Sequence, residues 1–180
     1  MDVFVYSRDA PEAGPLRADA ELLEAHWSYM DGFADSMIAR GPTLEPDRET
    51  ATGSLHVLGL PSVEAAHEFV AREPNHRAGV YAEHSIWRFE NLLGRTMWEF
   101  PGAADEPRFL VIARSGPPKR LPEELRQRLI LYGTLTTLDE GTPVGVALAV
   151  QAPDRRAVAA LLEGVLSDVE IHDWEFGGRR

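Results

Sequence analysis

Residues 53–71, GSLHVLGLPSVEAAHEFVA, decide the fold. From Gly53 to Gly59 the chain alternates Ser54, His56 and Leu58 with Leu55 and Val57, the two-residue period of a strand whose faces meet different surroundings. Pro61-Ser62 then opens a helix, and Val63, Ala66, Phe69 and Val70 recur at its spacing. The same order returns later: Val144 to Val150 runs into Ala152-Pro153-Asp154 and a helix from Arg156 to Glu163. A strand feeding a capped helix through a proline turn, twice in one chain, predicts an α+β protein with two similar halves.

Working outward, Val3-Phe4-Val5-Tyr6 reads as a strand ended by Asp9, Pro11, Gly14 and Pro15. Leu22, His26, Met30, Phe33 and Met37 follow a helical period, with Asp19 as N-cap and Gly41-Pro42 as the stop. Tyr81 to Phe89 closes a βαββαβ unit. In the second half, Phe109 to Arg114 parallels Val3 to Arg8, Ile130 to Gly133 parallels Ile38 to Gly41, and Ile171 to Phe176 parallels Ile86 to Glu90. The repeat period of about 85 to 105 residues is too long for a solenoid, so the halves are expected to pack sheet to sheet. The expected divisions are 1–90, a linker at 91–107 and a shorter half at 108–180. Met97, Trp98 and Phe100 mark the linker as pinned to the surface or capping a pocket.

The 180 residues are 44% hydrophobic, enough for a substantial core. A formal charge of −11 repels nucleic acid and anionic bilayers alike. No stretch approaches the roughly 20 apolar residues of a membrane helix, and the start MDVFVYSRDA lacks the pattern of a secretory leader. The expectation is a cytoplasmic protein. With no cysteine, thiolate nucleophiles, disulfides and Cys-based zinc sites are excluded. The histidines at 56, 67, 76 and 84 fit no ligand signature, so no metal is expected. The glycines form neither G-x-G-x-x-G nor a P-loop, which leaves a nucleotide cofactor unsupported.

His26, Gly41-Pro42, Gly53-Ser54, Glu73-Pro74 and Ala78-Gly79-Val80-Tyr81 occur in order over residues 1 to 90. Together they resemble the YCII-related domain family, a branch of the dimeric α+β barrel superfamily. The resemblance implies two ferredoxin-like halves with antiparallel sheets, packed here as an intramolecular dimeric α+β barrel, so that the chain is a monomeric pseudo-dimer or a homodimer of such barrels. It also implies a catalytic histidine paired with a carboxylate. Glu73 stands where the family has aspartate, and Leu23 where many members carry arginine. The second half has neither an equivalent of His26 nor a Glu-Pro loop, which leaves one site.

On this reading His26 moves a proton, Glu73 orients it, and Ser54 with the Gly53 backbone N–H holds an oxyanion or enolate. Trp27, Tyr29 and Tyr81 would wall a pocket for a planar ligand, and His76 and Arg77 would reach a substrate anion. The expected activity is that of a cofactor-independent lyase or isomerase acting on a small, aromatic or polyketide-like substrate. The alternatives are a cofactor-free monooxygenase or haem-associated barrel, and a non-catalytic small-ligand binding protein.

Overall fold

The computed structural model describes residues 1–103, 105–118 and 120–178. The expected half 108–180 therefore runs, at residues 119, 179 and 180, outside the described residues. The chain forms strands β1 (Asp2–Asp9), β2 (Met37–Leu44), β3 (Ala51–Gly59), β4 (Tyr81–Asn91), β5 (Arg108–Ala113), β6 (Leu129–Thr136), β7 (Pro143–Gln151) and β8 (Val169–Trp174). Helices α1 (Gly14–Arg17), α2 (Ala20–Asp31), α3 (Val63–Arg72), α4 (Pro74–Ala78), α5 (Glu123–Arg128) and α6 (Arg155–Leu162) join them. All strand pairs are antiparallel, and they close into one eight-stranded barrel in the order β1-β3-β2-β8-β5-β7-β6-β4.

Alternation along each strand separates two surfaces. Phe4, Tyr6, Leu55, Val57, Leu110, Ile112, Ala147 and Trp174 point inward and fill the barrel. Val3, Val5 and Leu58 point outward, where α2 and α3 cover them through Met30, Ala66, Phe69 and Val70. A matching outer cluster beneath α5 and α6 gathers Leu125, Val111, Leu148, Val158 and Leu162. Among the described residues no helix is long and apolar enough to cross a membrane.

Several local expectations hold. The Asp19 side chain accepts from the N–H groups of Glu21 and Leu22, and Ser62 accepts from Ala65 N–H, so both helices start where the caps predict. Strand β3 and helix α3 occupy the stretch that decided the reading.

The end of the first long helix differs. Helix α2 stops at Asp31, and Gly41-Pro42 lies inside β2 instead of ending a helix. The periodic run continued to Met37 because Met30 at the helix end, Phe33 in the turn and Met37 at the strand start all pack on the same outer cluster. One apolar surface thus imitated one helix.

Two seams close the barrel. Strand β4 pairs with β6 from Arg88↔Thr136 to Asn91↔Gly133, and β2 pairs with β8 through Thr43↔Trp174 and Leu44↔Asp173. The second seam is short but braced: Arg48 holds Asp173 at 2.7 Å and also bonds Glu175, Arg155 holds Asp173 at 2.6 Å, and Arg108 holds Glu175 at 2.8 Å. Backbones nearly touch beyond it. A Cβ on Gly41 would overlap the Glu175 carbonyl oxygen, and one on Gly177 would lie 2.6 Å from Gly41 Cα.

The segment expected to be a linker packs inward. Met97 is fully buried among the residues that fill the barrel, with Trp98 and Phe100 packed against the same cluster.

Gly41→Ala is expected to lower unfolding free energy by about 3 kcal/mol, since the added methyl meets backbone that cannot yield. Gly164→Ala, with a left-handed φ but open space around it, should cost only about 1 kcal/mol. Urea denaturation of the two variants checks the contrast.

Candidate active site

The one-turn helix α4 is a positioning device. Pro74 occupies its first turn and Gly79 ends it at φ 82°, a left-handed conformation that favours glycine. Glu73 caps its N-terminus: Oε1 accepts from Asn75 N–H at 3.1 Å and Oε2 from His76 N–H at 2.6 Å. Those bonds fix the carboxylate in a site where Glu73 is only 3% exposed.

His26, on α2, faces this carboxylate. Its Nδ1 lies 2.6 Å from Glu73 Oε1. An ionised carboxylate only accepts hydrogen bonds, so Nδ1 carries the proton and Nε2 is left with its lone pair. Glu73 thereby orients the imidazole and selects its tautomer, the role an acidic residue plays behind a catalytic histidine.

His26 lies on the wall of a cavity of about 240 Å³ between α2 and the outer face of β2 and β3. Trp27 and Leu23 line it from the helix, and Arg40, Gly41, Pro42, Ser54 and His56 from the strands. Phe176, Gly177 and Gly178, beyond β8, complete the wall, so the second half of the chain closes a site whose dyad belongs to the first.

Ser54 is 4% exposed, and its Oγ accepts from Arg17 Nη2 at 3.0 Å and from Tyr81 Oη at 3.1 Å. With both acceptor positions used, its own proton remains to be donated. Arg17 is anchored by Asp9 through contacts of 2.6 and 2.9 Å, and its guanidinium stacks over the Tyr81 ring at 5.3 Å. Burial, followed by the charge of Glu73, pushes the Tyr81 phenol up to about 12, so it stays a neutral donor. Arg17 and Arg40 bring two guanidinium groups to the cavity wall, Arg17 paired with Asp9 and Arg40 facing Asp31 at 3.8 Å.

The predicted residues divide clearly. His26, Ser54 and Trp27 line the cavity, Glu73 touches His26 from behind, and Tyr81 supports Ser54. Gly53 stands mid-strand between Arg8 and Thr43 and does not line it; a Cβ there would overlap the Ser7 carbonyl, which explains the glycine by backbone approach. Tyr29 packs against Phe33 and Phe69 and donates to the Phe69 carbonyl at 2.9 Å, within the helix layer. His76 supplies its N–H to Glu73 while its ring packs on His84, and Arg77 is exposed; neither lines the cavity. The described residues of 91–107 do not line it either, and Met97 turns into the barrel instead.

Arg17, Arg40, His56 and Phe176 are site residues that sequence reasoning missed. The two-residue period of β3 already put His56 on the face of Ser54, and that was the usable signal. Arg17 sits in a loop-like stretch with no period to place it. Among the described residues no cluster of three or more His, Asp or Glu side chains is arranged to hold a metal.

Comparison with known proteins agrees with this architecture. Residues 1–90 match the YCII-related domain. A 5-chloro-2-hydroxyhydroquinone dehydrochlorinase from Burkholderia phenoliruptrix AC1100, solved with 2,5-dihydroxybenzoquinone, is 26% identical over 53% of this chain and 99% of its own, with a TM-score of 0.46. A candidate chlorite dismutase aligns over 97% of this chain and 94% of its own at 12% identity and a TM-score of 0.55. An anthrone oxidase-like protein aligns over 99% and 91% at 13% identity and a TM-score of 0.50. The last two likenesses extend the barrel fold to the whole chain. No curated protein shows significant sequence similarity to it.

Burial is the leading cause that raises all four tyrosines, Tyr29 and Tyr81 to about 12. A folded-state value above the unfolded 10 stabilises the fold fully below pH 10 and is lost as pH rises through about 12. Ultraviolet titration should therefore show phenolate appearing together with unfolding, and Tyr81→Phe should shift that transition to higher pH.

Proposed function

Since the chain belongs to the YCII-related domain family, whose domain it matches over residues 1–90, we propose that it is a cofactor-independent enzyme working by histidine-mediated proton transfer on a small molecule. The observation that carries this is the 2.6 Å contact between His26 Nδ1 and Glu73 Oε1 on the wall of the cavity. His26 Nε2 takes a proton from the substrate and returns it at another position, and Glu73 stabilises the imidazolium formed between the two steps. The chemistry is that of a lyase or isomerase. Return of the proton elsewhere gives an isomer, and expulsion of a leaving group by the electron pair gives an elimination product.

The cavity sets the substrate class. An apolar cavity of about 150 Å³ holds benzene, so about 240 Å³ suits one substituted ring. Trp27 and Phe176 offer flat apolar contact, while Arg17, Arg40 and the Ser54 hydroxyl favour oxygen atoms carrying negative charge. A monocyclic, hydroxylated or enolisable compound meets both demands.

We also read residues 1–90 and 108–180 as ferredoxin-like halves of a duplicated unit, joined by 91–107. The strand order β4-β1-β3-β2 followed by β8-β5-β7-β6 supports that reading. One chain then forms the whole barrel, and sequence retains the dyad in one half only.

In heavy water, the enzyme should introduce solvent deuterium into a member of a panel of monocyclic phenols, quinols and cyclic diketones, followed by mass spectrometry. His26→Ala is expected to slow exchange by about 10²- to 10⁴-fold, and Glu73→Gln by about tenfold or more through loss of orientation. Exchange at the wild-type rate in both variants would refute the assignment.

A further inference from the structure

The dyad leaves one histidine in the cavity unused. His56 sits on β3 two residues after Ser54 and on the same face, about 6.7 Å along the strand. It is 4% exposed. Its ring meets that of His26 edge-on, with centroids 5.7 Å apart, and Phe69 supports it from another side at 5.9 Å. Neither ring nitrogen is hydrogen-bonded to a described residue, although the ring lines the cavity. A ring nitrogen that opens on the cavity with no protein partner keeps its hydrogen-bonding capacity for a ligand, and here it stands beside a reactive histidine.

We propose that His56 is a second catalytic residue, whose imidazole N–H holds the oxyanion that develops on the substrate as His26 removes a proton. The inference rests on the proton-transfer reading of the same site. In the step, the substrate C–H bond breaks, its proton passes to His26 Nε2, and its electron pair moves onto the conjugated carbonyl oxygen. That oxygen accepts hydrogen bonds from His56 N–H and Ser54 O–H, and no bond to His56 itself forms or breaks. Burial first, then the neighbouring His26, Arg17 and Arg40, holds the His56 pKa well below 6.5. It therefore stays uncharged near neutrality and offers one N–H donor, which polarises an oxygen without surrendering a proton. Arg17 is already engaged by Asp9 and Ser54, so it acts through Ser54, while the two β3 side chains offer neighbouring neutral donors on one wall of the cavity and Arg40 adds charge from β2.

The test uses 4-nitrophenol, whose absorbance distinguishes bound phenol from bound phenolate, with nitrobenzene as an uncharged control. Wild type should prefer the phenolate, lowering the probe's apparent pKa by about one unit or more. His56→Phe should lose about tenfold of phenolate affinity while nitrobenzene binding persists, and His56→Gln, which keeps an N–H donor, should retain most of the preference. Equal phenolate preference in wild type and a folded His56→Phe, or none in wild type, would overturn the proposal. Failure of the parent reading appears separately: His26→Ala would then exchange deuterium at the wild-type rate while the dependence of phenolate binding on His56 stood.

Discussion

Closure of the sheet on itself is the constraint from which the rest of the structure follows. Strands β1–β4 and β5–β8 carry apolar inner faces, and pairing β2 with β8 and β4 with β6 buries them in one interior and removes the free sheet edges. The β2–β8 seam has only two register pairs, so side chains reinforce it: Arg48 reaches across to Asp173 and Glu175, which Arg155 and Arg108 hold from their own side of the junction. The glycines at 41 and 177 let the backbones approach there. The same approach carries Phe176 to Gly178 across the mouth of the cavity. Barrel closure and completion of the candidate site are therefore one event.

Within that frame, a very short segment sets the chemistry. Helix α4 is one turn long, yet its N-cap residue Glu73 orients His26, its N–H groups fix the orienting carboxylate, and its glycine end turns the chain so that Tyr81 meets Ser54. The longer arm of Glu73, compared with the aspartate of the family resemblance, still spans to the imidazole. Leucine at 23 removes one expected cation, but Arg17 and Arg40 line the same cavity from other elements. The cationic groups of the cavity thus come from long side chains whose origin in sequence bears little relation to where their charges lie.

That difference explains what was readable in advance. Strands β1, β3, β4, β5, β7 and β8, with helices α3 and α6, were legible because most carry a local period and a capping or turn residue at an end. Strand β2 was partly hidden in the first half, since Met30, Phe33 and Met37 share one apolar surface across a change of backbone conformation. The residues His26, Glu73 and Ser54 were legible as a set from motif order, and Trp27 by its adjacency. Gly53, Tyr29, His76 and Arg77 were drawn to the site by nearness in sequence, while strand pairing and helix packing turn them elsewhere. Arg17 and Arg40 lay beyond local pattern because Arg17 meets Ser54 only through the pairing of β1 with β3, and Arg40 meets the segment after β8 only once the barrel has closed.

The central claim is that Glu73 holds His26 in the tautomer with the proton on Nδ1 and the lone pair on Nε2. The most direct measurement is ¹⁵N-resolved NMR of the histidine rings in wild type and Glu73→Gln. The account predicts a single Nδ1–H tautomer for His26, with a far-downfield proton that moves upfield in the variant. An Nε2–H tautomer in wild type, or an unchanged Nδ1 proton in Glu73→Gln, would contradict it.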